Sequence, residues 1–231
     1  MASELTLEAP PDPTVRVTAR SGSVKVAGED RSDVVVTGAR HAEVADDGSV
    51  EVKSSSGSVT VRCPEGSDVI IGAGSGEVEL RGRLGHARVT VGSGSISVEH
   101  VERLDARTAS GSFDVGFCAG ECRLKTASGS ISVKRAGAAD FATGSGSVTA
   151  DVVESATVKA GSGNVDVGLT GAGPVDVKAL SGSVTITVPR GTRPATRLKT
   201  LSGKVQRDPE GGEEGGIRVK TLSGSIRVLE R

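Results

Sequence analysis

Three groups of residues have the types and spacing that chemistry could use. Glu99-His100-Val101-Glu102 sets an imidazole between carboxylates. A histidine titrates near neutrality and a carboxylate can orient it, so the trio suits general acid–base work. Cys118 and Cys122 have the spacing of half a metal site. Zinc asks for four ligands, so Cys63 and the histidines His41, His86 and His100 would have to converge on them. The third group is a column of cations: Arg107, Lys125, Lys159, Lys178, Lys199 and Lys220, with Ala142 as its one gap. Such a column suits an anion: an acidic polymer, a lipid head group or a phosphorylated partner. Each group also has a plainer reading: a hydrophilic turn, small buried side chains and a solvated charged face. The reading adopted assigns no catalytic residues, metal or cofactor, and keeps the column as a candidate anion-binding surface. Asp105, Asp140 and Asp176 stand two residues before some of the cations and are expected to neutralise part of it.

The column is periodic because the chain is. A Ser-Gly pair recurs at Gly22, Gly57, Gly76, Gly94, Gly111, Gly129, Gly146, Gly163, Gly182, Gly203 and Gly224. Successive gaps are 35, 19, 18, 17, 18, 17, 17, 19, 21 and 21 residues. A period in this range across nearly the whole chain marks a stacked repeat. The first gap, close to two periods, is expected to hide one degenerate copy.

Apolar and polar residues alternate on both sides of each Ser-Gly, the period of a half-buried strand. In the copy Ala87–Val98, Val89 and Val91 share one parity while Ile96 and Val98 share the other. A straight strand would turn its second half inside out, so a corner must intervene. Glycine supplies the positive φ a corner needs, which assigns Gly94, Gly111, Gly129, Gly146, Gly163 and Gly182 as structural corners. Two residues after the Gly, all eleven copies are apolar and ten are β-branched. Four after it only Arg207 breaks an apolar column. One coil cannot bury these faces alone, but a stack can.

The repeat is too short for a strand–helix–strand crossover or a four-stranded propeller blade. It predicts an all-β, single-stranded parallel β-solenoid of about a dozen coils with 17–21 residues each. A meander of hairpins is the alternative, but Asn-Gly and Asp-Gly turn signals are scarce.

Composition agrees. Thirty-three glycines suit corners, and only three aromatics, Phe113, Phe117 and Phe141, suit a narrow interior. A net charge of −1 gives no bulk drive toward nucleic acid or acidic membranes, and no nucleic acid is expected as a partner. No apolar run is long enough for a transmembrane helix. The first residues lack the basic and apolar regions of a signal peptide, which predicts a cytoplasmic protein. Three cysteines with no framework spacing agree with a reducing compartment.

Residues 1–14 read as a capping segment in which Leu5 and Leu7 form a strand across the first coil. Residues 15–231 read as the solenoid, with distorted coils at 28–52 and a flexible acidic loop at 207–216. Ile226, Val228 and Leu229 are expected to form an uncovered last coil. Such an edge can pair with another chain.

The units Ser-Gly-Ser-Val-x-Val and Thr126–Val133, Thr-Ala-Ser-Gly-Ser-Ile-Ser-Val, resemble the bacterial putative-adhesin family of β-strand repeats, a toastrack-type domain of unknown function. The resemblance covers about residues 15–230. It implies a right-handed single-stranded β-solenoid with no established catalytic residues. It also implies a link to the bacterial envelope, although this chain lacks the membrane segment of the anchored members. The expected function is a non-catalytic scaffold or interaction protein that binds itself end to end or an unidentified protein. An anion-binding module using the basic column is the alternative. A polysaccharide-cleaving β-helix is disfavoured, because such grooves hold sugars against aromatic rings.

Overall fold

The computed structural model describes residues 4–8, 10, 12–208, 212 and 214–231, and every regular element among them is a β-strand. The chain divides into two compact units, residues 1–119 and 120–231.

In the first unit the strands are β1 (Glu4–Glu8), β2 (Thr14–Ser21), β3 (Val24–Glu29), β4 (Asp33–Thr37), β5 (His41–Val44), β6 (Val50–Ser54), β7 (Val59–Pro64), β8 (Asp68–Ser75), β9 (Val78–Ser93) and β10 (Ile96–Ser110). β11 (Phe113–Ser128) contains the boundary. Pairing between coils is parallel and puts like on like: Ile96 against Val78, Val98 against Leu80, Ala106 against Val89. Stacking order departs from chain order. β2 pairs with β6 on one side and β8 on the other, and β3 pairs likewise with β7 and β9. The coil 14–29 therefore lies inside coil 50–64, which is the outer layer.

That outer layer is covered. β4 runs antiparallel to β7, β5 antiparallel to β6, and β1 antiparallel to β4, with Leu5 opposite Val36 and Leu7 opposite Val34. Two expectations are corrected here. The stretch 28–52 holds no distorted or degenerate coil between Gly22 and Gly57; its middle is an antiparallel cap. Val34, Val35 and Val36 are all buried in it, so it does not follow the period of two. The Leu5 and Leu7 strand exists, but it lies on β4.

In the second unit the strands are β12 (Ile131–Ser145), β13 (Val148–Ser162), β14 (Val165–Leu169), β15 (Val175–Ser181), β16 (Val184–Val188), β17 (Pro194–Ser202), β18 (Val205–Arg207), β19 (Glu214–Ser223) and β20 (Ile226–Glu230). Here too the order is interleaved. β15 pairs with β19, and β19 pairs with β17. β16 pairs with β20, and β20 pairs with β18. The turn after Val188 skips a layer, and coil 217–230 later fills the slot. Part of the acidic loop, residues 209–211 and 213, lies outside the described residues.

Every Ser-Gly corner has positive φ, for example +142° at Gly94, +150° at Gly111, +143° at Gly129, +139° at Gly146, +124° at Gly163 and +120° at Gly182. The corners also stack on each other. A Cβ on Gly146 would sit 2.1 Å from the carbonyl oxygen of Gly129, and one on Gly224 2.0 Å from that of Gly182. At these stacked positions glycine is thus required by conformation and by contact. Beside the corners stand small residues, and the threonines among them return hydrogen bonds: Thr143 donates to the Gly129 carbonyl at 3.1 Å.

Candidate functional site

The cation column becomes a ladder through strand register. In the second unit Lys159 pairs with Lys178, Lys178 with Lys220, and Lys220 with Lys199. These are four successive rungs, so their order along the stack is 159, 178, 220, 199. Lys125 belongs to the same unit, with Ala142 beside Lys159 on the intervening rung. Arg107 lies in the first unit. The interior neighbours Val177 and Ala179 are buried, which turns Lys178 outward, and the same holds for Lys220 between Val219 and Thr221.

The expected neutralisation occurs only at Arg107, which meets Asp105 at 3.4 Å. Asp140 pairs with Arg123 at 3.3 Å, and Asp176 faces Arg218 at 3.9 Å. Among the described residues no carboxylate lies within salt-bridge distance of Lys125, Lys159, Lys178, Lys199 or Lys220. Like charges on directly opposed rungs, ~4.8 Å apart, repel and destabilise the sheet. The ladder therefore carries a small cost in stability.

Two hollows flank it. A groove of about 850 Å³ is lined by Asp140, Lys159, Asp176, Thr196, Arg197 and Arg218, among others. The Asp176 Oδ1 and Thr196 Oγ1 atoms are buried there without hydrogen-bond partners. A second trough of about 460 Å³ is lined by Lys125, Ala142, Lys159, Gly161, Lys178 and Leu180, among others.

Sequence reasoning missed the feature beside the ladder. Leu180, Leu222 and Leu201 are 59%, 51% and 82% exposed. Leu180 and Leu222 fall on adjacent strands between the pairs Ala179–Thr221 and Ser181–Ser223. Leu201 falls opposite Leu222 between Thr200–Thr221 and Ser202–Ser223. The signal was present: two residues before the Gly the other copies have Arg20, Ser55, Gly74, Gly92, Ala109, Ala127, Gly144 and Gly161.

The other candidates do not assemble. Glu99 accepts a hydrogen bond from the Gly82 N–H at 3.0 Å, and the His100 ring packs on Phe117 with centroids 4.6 Å apart. Both are engaged structurally rather than aimed at a shared point. Cys118 and Cys122 are buried in interior columns, Cys118 with Val101 and Cys122 with Leu124 and Phe141 as further buried residues of their units. Among the described residues no group of three His, Cys, Asp or Glu is placed to hold a metal ion. His41 instead meets Glu43 at 3.2 Å on the surface.

The expected free coil at Ile226, Val228 and Leu229 is corrected. Ile226 and Val228 are fully buried, with Val184 and Ile186 paired on one side and Val205 and Arg207 on the other; Leu229 is half-buried opposite Thr187. Skipping a layer after Val188 moved the outer position to β17 and β18. Val205 is 47% exposed there. Among the described residues no helix is long and apolar enough to cross a membrane.

One solved structure agrees on architecture. A putative adhesin from Parabacteroides distasonis ATCC 8503 is 14% identical, covering 100% of this chain and 97% of its own, at a TM-score of 0.52. One from Bacteroides fragilis NCTC 9343 is 11% identical over 99% of this chain and 97% of its own, at 0.47. No curated protein matches. The Ser-Gly corners, the parallel like-on-like register and the match of residues 12–228 to Toastrack DUF4097 converge: the chain belongs to that family.

Proposed function

We propose that the protein is a non-catalytic β-solenoid scaffold that associates through the outer coil built by β17 and β18. One observation carries this reading. Among the described residues β17 and β18 pair on one side only, whereas the outer coil of the first unit lies under β4 and β5. An uncovered strand edge recruits another strand. The ladder runs from the Val184 N–H to the Ser225 carbonyl and from the Ile226 N–H to the Lys204 carbonyl. The Val205 N–H, next in that series, points outward. The partner that fits is a strand edge of a second copy.

Light scattering across a concentration series, with negative-stain images, tests this. Dimers are expected, and Val205→Pro should abolish them, because it removes an outward N–H and no inner hydrogen bond. A chain that stays monomeric, or a variant that associates unchanged, overturns the reading.

A second reading, an anion-binding surface, is favoured by the lysines without carboxylate partners. Retention on heparin that falls with salt and is lost in Lys159→Glu/Lys178→Glu supports it. Equal retention of parent and variant counts against it.

A further inference from the structure

We infer that the lysine and leucine ladders together form a docking face for an acidic amphipathic α-helix of another protein. This rests on the anion-binding reading and adds the shape and apolar half of the ligand. It does not depend on the free edge.

Two departures from sound solenoid surface coincide on the same three rungs. Lys178, Lys220 and Lys199 repel one another, and two residues on, Leu180, Leu222 and Leu201 expose apolar surface. Residues two apart on a strand share a face, so the two rows run side by side along the stack. Either row alone is a tolerable surface feature. Together they make a patch with a cationic stripe and an apolar stripe, whose complement carries carboxylates beside apolar groups.

Spacing selects the helix. Rungs are ~4.8 Å apart and a helical turn rises ~5.4 Å, so a helix along the stack presents about one residue per rung over four rungs. Acidic residues at i, i+3 or i+4, and i+7 would meet the lysines, and an adjacent apolar stripe would meet the leucines. A strand laid the same way repeats its side chains every ~6.7 Å and falls out of step by the second rung. An anionic bilayer matches the charge but carries no repeat that matches the rungs, and vesicle binding in the test below separates it from a helix.

The test is fluorescence anisotropy with a labelled 16-residue peptide bearing glutamate and leucine stripes at helical spacing. A scrambled peptide of the same composition, polyglutamate and vesicles containing phosphatidylglycerol are the comparisons. The striped peptide should bind at least tenfold more tightly than the scrambled one. Leu180→Ser/Leu222→Ser should weaken it at least tenfold while leaving polyglutamate binding unchanged. Lys178→Glu/Lys220→Glu should remove both. All these positions are exposed, and melting curves verify that the variants fold. Equal binding of striped and scrambled peptides, indifference to the leucine change, or binding to vesicles alone overturns the helix proposal. If polyglutamate and heparin are also ignored by the parent, the anion-binding reading falls with it.

Discussion

Val228 lies in register with Ile186 on one flank and with Arg207 on the other. A residue near the end of the sequence is thus an inner layer, and a residue one repeat earlier is the outer one. The first unit does the same with Val24, which pairs with Val59 and Val78. In both units the interleaved coil gains two neighbours, and the layer beyond it is reached by an earlier or later stretch of chain.

This order predicts unequal costs for equal substitutions. Val228→Asp puts a charge between two coils and should cost at least about 3 kcal/mol. Val205→Asp, in the outer coil, should cost about 1 kcal/mol or less. Urea denaturation of the two variants measures the difference. Similar losses, or the reverse order, would contradict the interleaving.

Two corner glycines differ in a testable way. Gly57 has φ +92° but nothing within 4 Å of an added Cβ. Gly57→Ala should cost only the strain of its backbone, about 1–2 kcal/mol. Gly146→Ala adds a backbone clash at 2.1 Å and should cost at least twice as much. Thermal melts of both variants give the comparison, and equal shifts would argue against stacked corners.

Relief of the ladder should stabilise the fold. Lys178→Glu stands between Lys159 and Lys220 and turns two repulsions into two attractions. A gain of about 0.5 kcal/mol is expected, shrinking in high salt. A stability loss in low salt would mean that the lysines are not mutually repelling.

Burial pushes the Cys63 thiol up from 9.0 to about 11. The thiolate is disfavoured in the folded state, so the contribution is intact below pH ~9 and is lost as pH climbs toward 11. The loss is on the order of 2 kcal/mol by linkage. Denaturation from pH 8 to 11 should show this fall in the parent, and Cys63→Ala should flatten it. An identical slope in both would assign the alkaline loss elsewhere.

The coil interior was legible because it obeys short rules. Val148, Ile131 and Val165 sit where alternation about Gly146, Gly129 and Gly163 puts them, and all are buried. Layer order was not legible, because Val188 to Pro194 reads as the same turn whether the chain advances one layer or two. Arg207 carried a hint, since a cation in an apolar column fits only an exposed layer, and β18 is exposed throughout. The cap at 33–44 escaped because Val34-Val35-Val36 has no period at all. The lysine ladder was visible as a column, but its unpaired state was not. That depended on Asp140 and Asp176 turning to Arg123 and Arg218. The leucines went unread, because their alignment on consecutive layers follows only from the order 175–188, 217–230, 194–207.

Interleaving also decides how such a protein can change length. Duplicating a repeat inside a unit, such as the one after Gly146, adds a layer whose neighbours already have the right faces. Copying the repeat around Gly224 does not lengthen the outer edge, since that repeat is shaped for a slot between two others. A repeat with a neighbour on each side within its unit is therefore the place where duplication can lengthen the stack, whereas the outer layer of each unit has to arise as a finished piece.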